Sequence, residues 1–189
     1  NFLRWNNPQT AGSAATADTN IVNIAEFAGQ RPSAIHVSPY TAHRVYFGTG
    51  NGKVIRVDQA NTATPSATEI TPPGAPGGYV SCVTTGSSDN ALMVVYSNYS
   101  VQNVWVTLNG GGSWSALDDA GGTNLPNMPV RWALFHPDTD AKAFIATETG
   151  VWETEQYNGT STIWEASPSM PNVRVTMMKY RSSDRTIVA

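Results

Sequence analysis

Residues 106–114 read VTLNGGGSW. Three consecutive glycines follow Asn109 and precede Trp114, between two β-prone runs, NVWVTL (103–108) and SWSAL (113–117). Asn and Gly tolerate the backbone conformations that tight turns require, and β-branched and aromatic residues fit a pleated sheet. The stretch predicts a hairpin between two strands, with Trp114 largely buried.

Outward from this hairpin the pattern recurs. SAIHVSP (33–39), VSCVTTG (80–86), RWALFHP (131–137) and RVTMMKY (174–180) each read as a first strand, and they repeat every 43–51 residues. Each leads through a polar turn (YTAHR, SSDN, DTDAK, RSSDR) to a second apolar run: VYFGTG (45–50), ALMVVYS (91–97), AFIATETG (143–150) and TIVA (186–189). A third run follows in three units, KVIRVD (53–58), NVWVTL (103–108) and VWETEQ (151–156), then a weaker fourth, ATEIT (67–71), SWSAL (113–117) and TIWEAS (162–167). Pro-Gly-Asn connectors restart the cycle.

Four short strands in a unit of this length predict an all-β fold, a β-propeller of four-stranded antiparallel blades. A lone four-stranded sheet cannot bury both faces, whereas blades stacked around an axis can. The near-continuous apolar first strands are expected to lie innermost, covered on both faces. The segment 15–29, ATADTNIVNIAEFAG, is the one stretch arguable as helix, but its β-branched residues and its place in the repeat favour a strand.

At the hairpin the chain resembles the Asp-box of BNR-repeat propellers, roughly Ser-x-Asp-x-Gly-x-Thr-Trp, with Thr107, Asn109, Gly111, Ser113 and Trp114 at the matching positions. Asn109 stands where the box has Asp. It retains the ability to cap the turn through neighbouring backbone N–H groups. A stretched version in the third unit ends at Trp164. TGNGKVIRV, TETGVWETE and PNVRV are similar to repeats of sortilin-like and xyloglucanase-type propellers, and the resemblance covers residues 31–189. It implies a secreted or cell-surface protein of bacterial type.

The ends carry partial units. FLRWNN (2–7) aligns with the third strand VIRVDQ, and NIVNIAEFA (20–28) with a fourth. One single propeller region, 1–189, is thus expected: a half blade (1–30), blades 31–76, 77–126 and 127–171, and a half blade (172–189). This reads as part of a larger propeller whose remaining blades come from a longer chain or from another copy. The rival is a closed four-bladed ring in which residues 2–7 pair with 185–189.

Composition narrows the function. Charged residues are 13% of the 189 and the net charge is −3, so no basic surface predicts a nucleic-acid partner. No apolar stretch reaches the ~18 residues of a membrane span. The single Cys82 lies in a strand-like run and reads as a small buried residue. No cofactor is expected, and no metal spacing joins His36, His43 and His136. The acidic turn DTD (138–140) is the one candidate for calcium, without EF-hand-like spacing. Asn98-Tyr-Ser and Asn158-Gly-Thr match the glycosylation sequon.

Hydrolysis of a glycoside needs two facing carboxylates. Asp118, Asp119, Asp138, Asp140 and Asp184 sit in polar turns and read as solvated, and Glu153 and Glu155 share one strand face. The catalytic carboxylates of xyloglucanase-type enzymes match no motif here. Arg131 and Arg174 open first strands near the axis and resemble two members of a sialidase arginine cluster. The remaining matching positions, Ser33 and Val80, are not arginine. No catalytic residue is assigned. The expected role is a binding or scaffold module for a polysaccharide or protein surface, with Arg131, Arg174, Trp132, Trp152, Tyr99 and Tyr157 as candidate contacts. The alternative is a section of a glycoside hydrolase.

Overall fold

The computed structural model describes residues 2–5, 19–122, 124–168 and 170–189. Strands β1 (Phe2–Trp5) and β2 (Thr19–Val22) form a two-stranded antiparallel sheet. Three four-stranded sheets follow. The first is β3 (Pro32–Val37), β4 (Val45–Thr49), β5 (Val54–Asp58) and β6 (Ser66–Glu69). The second is β7 (Val80–Thr85), β8 (Leu92–Tyr96), β9 (Val104–Thr107) and β10 (Ser115–Ala116). The third is β11 (Val130–His136), β12 (Thr139–Thr147), β13 (Gly150–Thr154) and β14 (Glu165–Ala166). A second two-stranded sheet, β15 (Lys179–Arg181) and β16 (Thr186–Val188), ends the chain. Among the described residues every ladder between strands is antiparallel and joins strands consecutive in sequence. This is the meander of β-propeller blades.

The first strands of successive sheets meet. Ser33 Oγ donates to the carbonyl of Val80 (2.7 Å), and Ser81 Oγ to that of Val130 (2.7 Å). In β3, β7 and β11 the register against the second strand slips at the same place, Pro32/Ala34, Val80/Cys82 and Val130/Trp132. These bulges make Ser33, Ser81 and Arg131 structurally equivalent. Val80, the sequence match to Arg131, is therefore displaced by one residue; a bulge shifts register without leaving a sequence mark.

Apolar faces of adjacent blades interlock. Tyr46, Val54 and Ile70 of the first blade pack with Val80, Val83 and Leu92 of the second. Met93, Val104 and Leu117 of the second pack with Ala133, Ile145 and Trp164 of the third. Gly48 sits in the first interface so tightly that an added Cβ would meet Val80 Cγ1 at 2.2 Å.

Three expectations about elements need correction. Burial is deepest in the second and third strands, β8 and β9 being buried throughout. The innermost β3 is not covered on both faces, since Ile35 is 65% and Val37 62% exposed. The expected first strand 174–180 is a strand only over Lys179–Arg181; among the described residues 174–178 have no ladder partner, although Val175 N–H still bonds the Thr147 carbonyl (2.9 Å). The expected fourth strand 20–28 ends at Val22 and gives way to a 3₁₀ turn, Ala25–Phe27, closed by Ala28 in the left-handed region (φ 48°). Residues 6 and 7 of the expected first segment lie outside the described residues.

Candidate functional site

All first strands run in one direction along the axis, so their starts define one mouth, shared with the loops between second and third strands. Arg131 lies at this mouth, with its Nε donating to Glu148 Oε1 of the β12–β13 hairpin (2.7 Å). Trp152 Nε1 bonds Thr149 Oγ1 of the same hairpin (3.3 Å), and the Trp152 ring is half-buried against the second interface. Arg174 is exposed just ahead of the last half blade. Tyr99 projects from the loop after β8, 62% exposed. Sequence reasoning missed its neighbour Tyr79, 48% exposed. The Tyr79 backbone is fixed beside the chain that carries Tyr99, since Tyr79 N–H donates to Asn98 Oδ1 (2.7 Å) and Ser97 N–H to the Tyr79 carbonyl (3.0 Å). The signal was present as Asn98-Tyr99 opposite Gly78-Tyr79, legible only once β7 and β8 are paired.

Trp132 lies deeper. It lines an axial cavity of about 450 Å³, walled by Ser33, His36, Cys82, Leu134, Met178 and Tyr180. Its Nε1 is buried with no hydrogen-bond partner among the described residues. His36 Nε2 lies 2.9 Å from Thr85 Oγ1; burial lowers the imidazole's pKa, against the raising effect of Asp89. Burial pushes the Cys82 thiol up to about 12, which leaves it an unreactive apolar group. Tyr157 is not at the mouth. It packs at the outer end of the third blade, with its hydroxyl on the Lys142 carbonyl (3.1 Å), and burial raises its pKa.

The hairpin at 106–114 is built as its residues suggest. Thr107 Oγ1 donates to Asn109 Oδ1 (2.8 Å), which also accepts the Ser113 N–H (2.8 Å). Asn109 Nδ2 donates to Ser113 Oγ (2.9 Å), and Gly111 N–H to Thr107 Oγ1 (3.1 Å). Gly111 has φ +95°, and a Cβ there would meet Ile70 Cβ at 2.9 Å, so the turn presses on the preceding blade. Trp114 packs against that interface but is half-buried, less than expected. Trp164 is the fully packed counterpart, its Nε1 bonded to the Leu117 carbonyl of the second blade (2.8 Å).

Two acid readings change. Asp118 is buried, not solvated: it accepts the N–H groups of Asn103 (2.9 Å) and Val104 (3.0 Å). Burial pushes its pKa up to about 6, against those hydrogen bonds. The acids of the first-to-second turns are inter-blade latches. Asp89 accepts Ser38 Oγ (2.6 Å), Thr41 Oγ1 (2.5 Å), Arg44 Nη1 (3.1 Å) and Tyr46 OH (3.1 Å), all from the preceding blade. Asp140 accepts Ser87 N–H (2.7 Å), and Asp138 accepts Arg185 Nη2 (2.6 Å). The candidate calcium turn is thus engaged in protein contacts, and among the described residues no group of three His, Cys, Asp or Glu side chains gathers as a metal site.

No protein-family model matches the chain, and no curated protein matches its sequence. Solved structures do resemble it. Saccharomyces cerevisiae Sqt1 superposes with a TM-score of 0.56 at 18% identity, over 83% of this chain and 40% of that one. The GH74 xyloglucanase from Xanthomonas campestris gives 0.53 at 14% identity, over 80% of this chain and 26% of that one. The β-propeller domain of Myceliophteria thermophila Cps50 (Swd1) gives 0.49 at 15% identity, over 81% and 50%. At these identities the likeness to the first two establishes the propeller fold alone, and this chain spans well under two thirds of each of the three. Among the described residues, no helix is long and apolar enough to cross a membrane.

Proposed function

We propose that this chain is a non-catalytic binding or scaffold propeller module of a secreted or cell-surface bacterial protein, meeting a glycan or protein surface at the mouth where the first strands start. The observation that carries this reading is the Tyr79–Tyr99 pair. Two exposed aromatic side chains stand where Asn98, next to Tyr99, accepts the Tyr79 N–H, and Arg131, Trp152 and the exposed Arg174 belong to the same end of the first strands. Rigid, amphipathic rings on a fixed scaffold give contact area at low entropic cost. The Asp-box reading of 107–114 belongs to the scaffold, because its hydrogen bonds close on themselves and Gly111 faces the neighbouring blade.

The test is a screen of the purified chain against glycan and protein arrays, with Tyr79→Ala/Tyr99→Ala as control. Binding that the double substitution abolishes without lowering the melting temperature supports the reading. Binding unchanged by it sinks this mouth as the site.

A section of a glycoside hydrolase is the second reading, and one observation favours it. Glu153 and Glu165 stand directly opposite on β13 and β14 and line a cavity of about 550 Å³. Residues opposed in a ladder have Cβ atoms ~5 Å apart, comparable with the ~5–5.5 Å between the carboxyl groups of retaining glycosidases. Release of reducing sugar by the chain, lost in Glu153→Gln, would establish this reading over the first.

A further inference from the structure

Three Asn-Gly pairs occur in the chain, Asn51-Gly52, Asn109-Gly110 and Asn158-Gly159. Each lies at a hairpin tip, between β4 and β5, β9 and β10, and β13 and β14 respectively. The pair has a chemistry of its own. The glycine nitrogen can attack the asparagine Cγ, because glycine has no side chain to hinder the approach. Folding decides whether it does. The attack needs a free side-chain amide, a free glycine N–H and room to turn.

Two of the pairs are locked. Asn51 Oδ1 accepts Thr49 Oγ1 (2.7 Å), and Gly52 N–H donates to the Thr49 carbonyl (3.2 Å). A Cβ on Gly52 would meet the Pro76 carbonyl oxygen at 2.4 Å. Asn109 is held at both ends of its amide, Oδ1 by Thr107 Oγ1 and the Ser113 N–H, and Nδ2 by Ser113 Oγ. Gly110 N–H donates to the Asn90 carbonyl (2.9 Å).

The third pair is open. Among the described residues neither the Asn158 side-chain amide nor the Gly159 N–H bonds a protein group. Asn158 is exposed, and a Cβ on Gly159 would meet nothing within 4 Å. The turn is closed by other groups. Asn158 N–H donates to Thr162 Oγ1 (2.8 Å), and the N–H groups of Ser161 and Thr162 donate to the Asn158 and Gly159 carbonyls (3.0 and 3.1 Å). Tips of this kind project past the blade faces: Asn109 and Ser113 stay exposed although their blade packs against a neighbour on each side.

We propose that Asn158-Gly159 is a site of spontaneous modification, the one of the three pairs that deamidates in the folded protein. Gly159 N gives its proton to hydroxide and bonds Asn158 Cγ, and the side-chain nitrogen leaves as ammonia. Water then opens the five-membered imide. Cleavage between Gly159 N and Cγ gives aspartate. Cleavage between Gly159 N and the Asn158 backbone carbonyl carbon gives isoaspartate, in which the chain runs through the side chain. Either product adds a negative charge to a cavity wall that already carries Glu153, Glu155 and Glu165. Isoaspartate also converts the carbonyl that accepts the Ser161 N–H into a free carboxylate, which loosens the turn.

The test is to hold the purified chain in mildly alkaline buffer, folded and in urea, and to follow the amide-to-acid mass change at each pair by peptide mapping. In urea the three pairs should convert at comparable rates. In the folded chain Asn158 should convert at least about tenfold faster than Asn51 or Asn109, whose hydrogen bonds must open first. Comparable rates in the folded chain, no conversion at Asn158, or a preference for Asn158 that persists in urea would each overturn the proposal. Asn158→Gln should abolish the acidic form that accumulates on isoelectric focusing and leave the melting temperature unchanged; an acidic form that persists in this variant would place the modification elsewhere. None of these outcomes bears on the Tyr79–Tyr99 mouth, which the modified turn does not include.

Discussion

Single residues show how similar sequence contexts reach opposite environments. Asp118 and Asp89 both sit in short polar stretches. Asp118 is buried over backbone N–H groups, and burial outweighs those bonds to bring its pKa to about 6. Because this lies above the ordinary 3.8, the protonated folded form is favoured: its contribution to stability is present at low pH and is lost as pH rises through about 6. Burial also pushes Asp89 up, but the hydroxyls of Ser38, Thr41 and Tyr46 and the Arg44 charge outweigh it and hold the carboxyl below its ordinary value. Its contribution is present above pH ~4 and lost as pH falls through the lower folded value. Asp118→Asn should destabilise at pH 5 by about 1–3 kcal/mol, since the amide NH₂ must face one of two backbone donors, and by less at pH 7.5, where the wild type has lost the contribution of its protonated form. Urea melts at pH 5 and pH 7.5 check this, and the wild type minus variant difference should change between them. Trp114→Ala should cost about 2 kcal/mol, less than the ~3–5 kcal/mol of a fully buried Trp. An equal cost at Trp114 and Trp164 would contradict the half-buried geometry.

At the scale of elements, the hairpins, the order of strands and the four-strand period were legible from the sequence, because turn chemistry and apolar runs are local. VTLNGGGSW, VYFGTG and KVIRVD became a turn and strands close to the expected bounds. What was not legible depends on partners far away in sequence. RVTMMKY reads as a strand, yet among the described residues 174–178 have no ladder partner. Asp89 and Asp140 look like solvated turn residues until the preceding blade is set beside them. The bulges at Ser33, Ser81 and Arg131 aligned the wrong residue with Arg131. The mouth tyrosines were half seen, Tyr99 by its loop and Tyr79 only by its pairing. The latch acids should stabilise interfaces rather than blades. Asp89→Ala should cost about 1–3 kcal/mol by leaving several donors without their acceptor. Chemical denaturation should also show a broadened transition, as the first blade uncouples from the second. A sharp, unshifted transition would remove Asp89 from the interface account.

Across the whole molecule, burial is graded from the centre to both ends. Blades one, two and three share two continuous apolar interfaces, and the strands between those interfaces, β8 and β9, are buried throughout. The last half blade has one flanking interface, and its strands carry mostly exposed or half-buried side chains. Local opening costs what the local contacts supply. Amide hydrogen exchange should therefore be slowest in Leu92–Tyr96 and Val104–Thr107, intermediate in β4, β5 and β12, and fastest in β15 and β16. Protection of Thr186–Val188 equal to that of Leu92–Tyr96 would contradict the gradient, because β16 carries mostly exposed side chains and β8 is buried throughout.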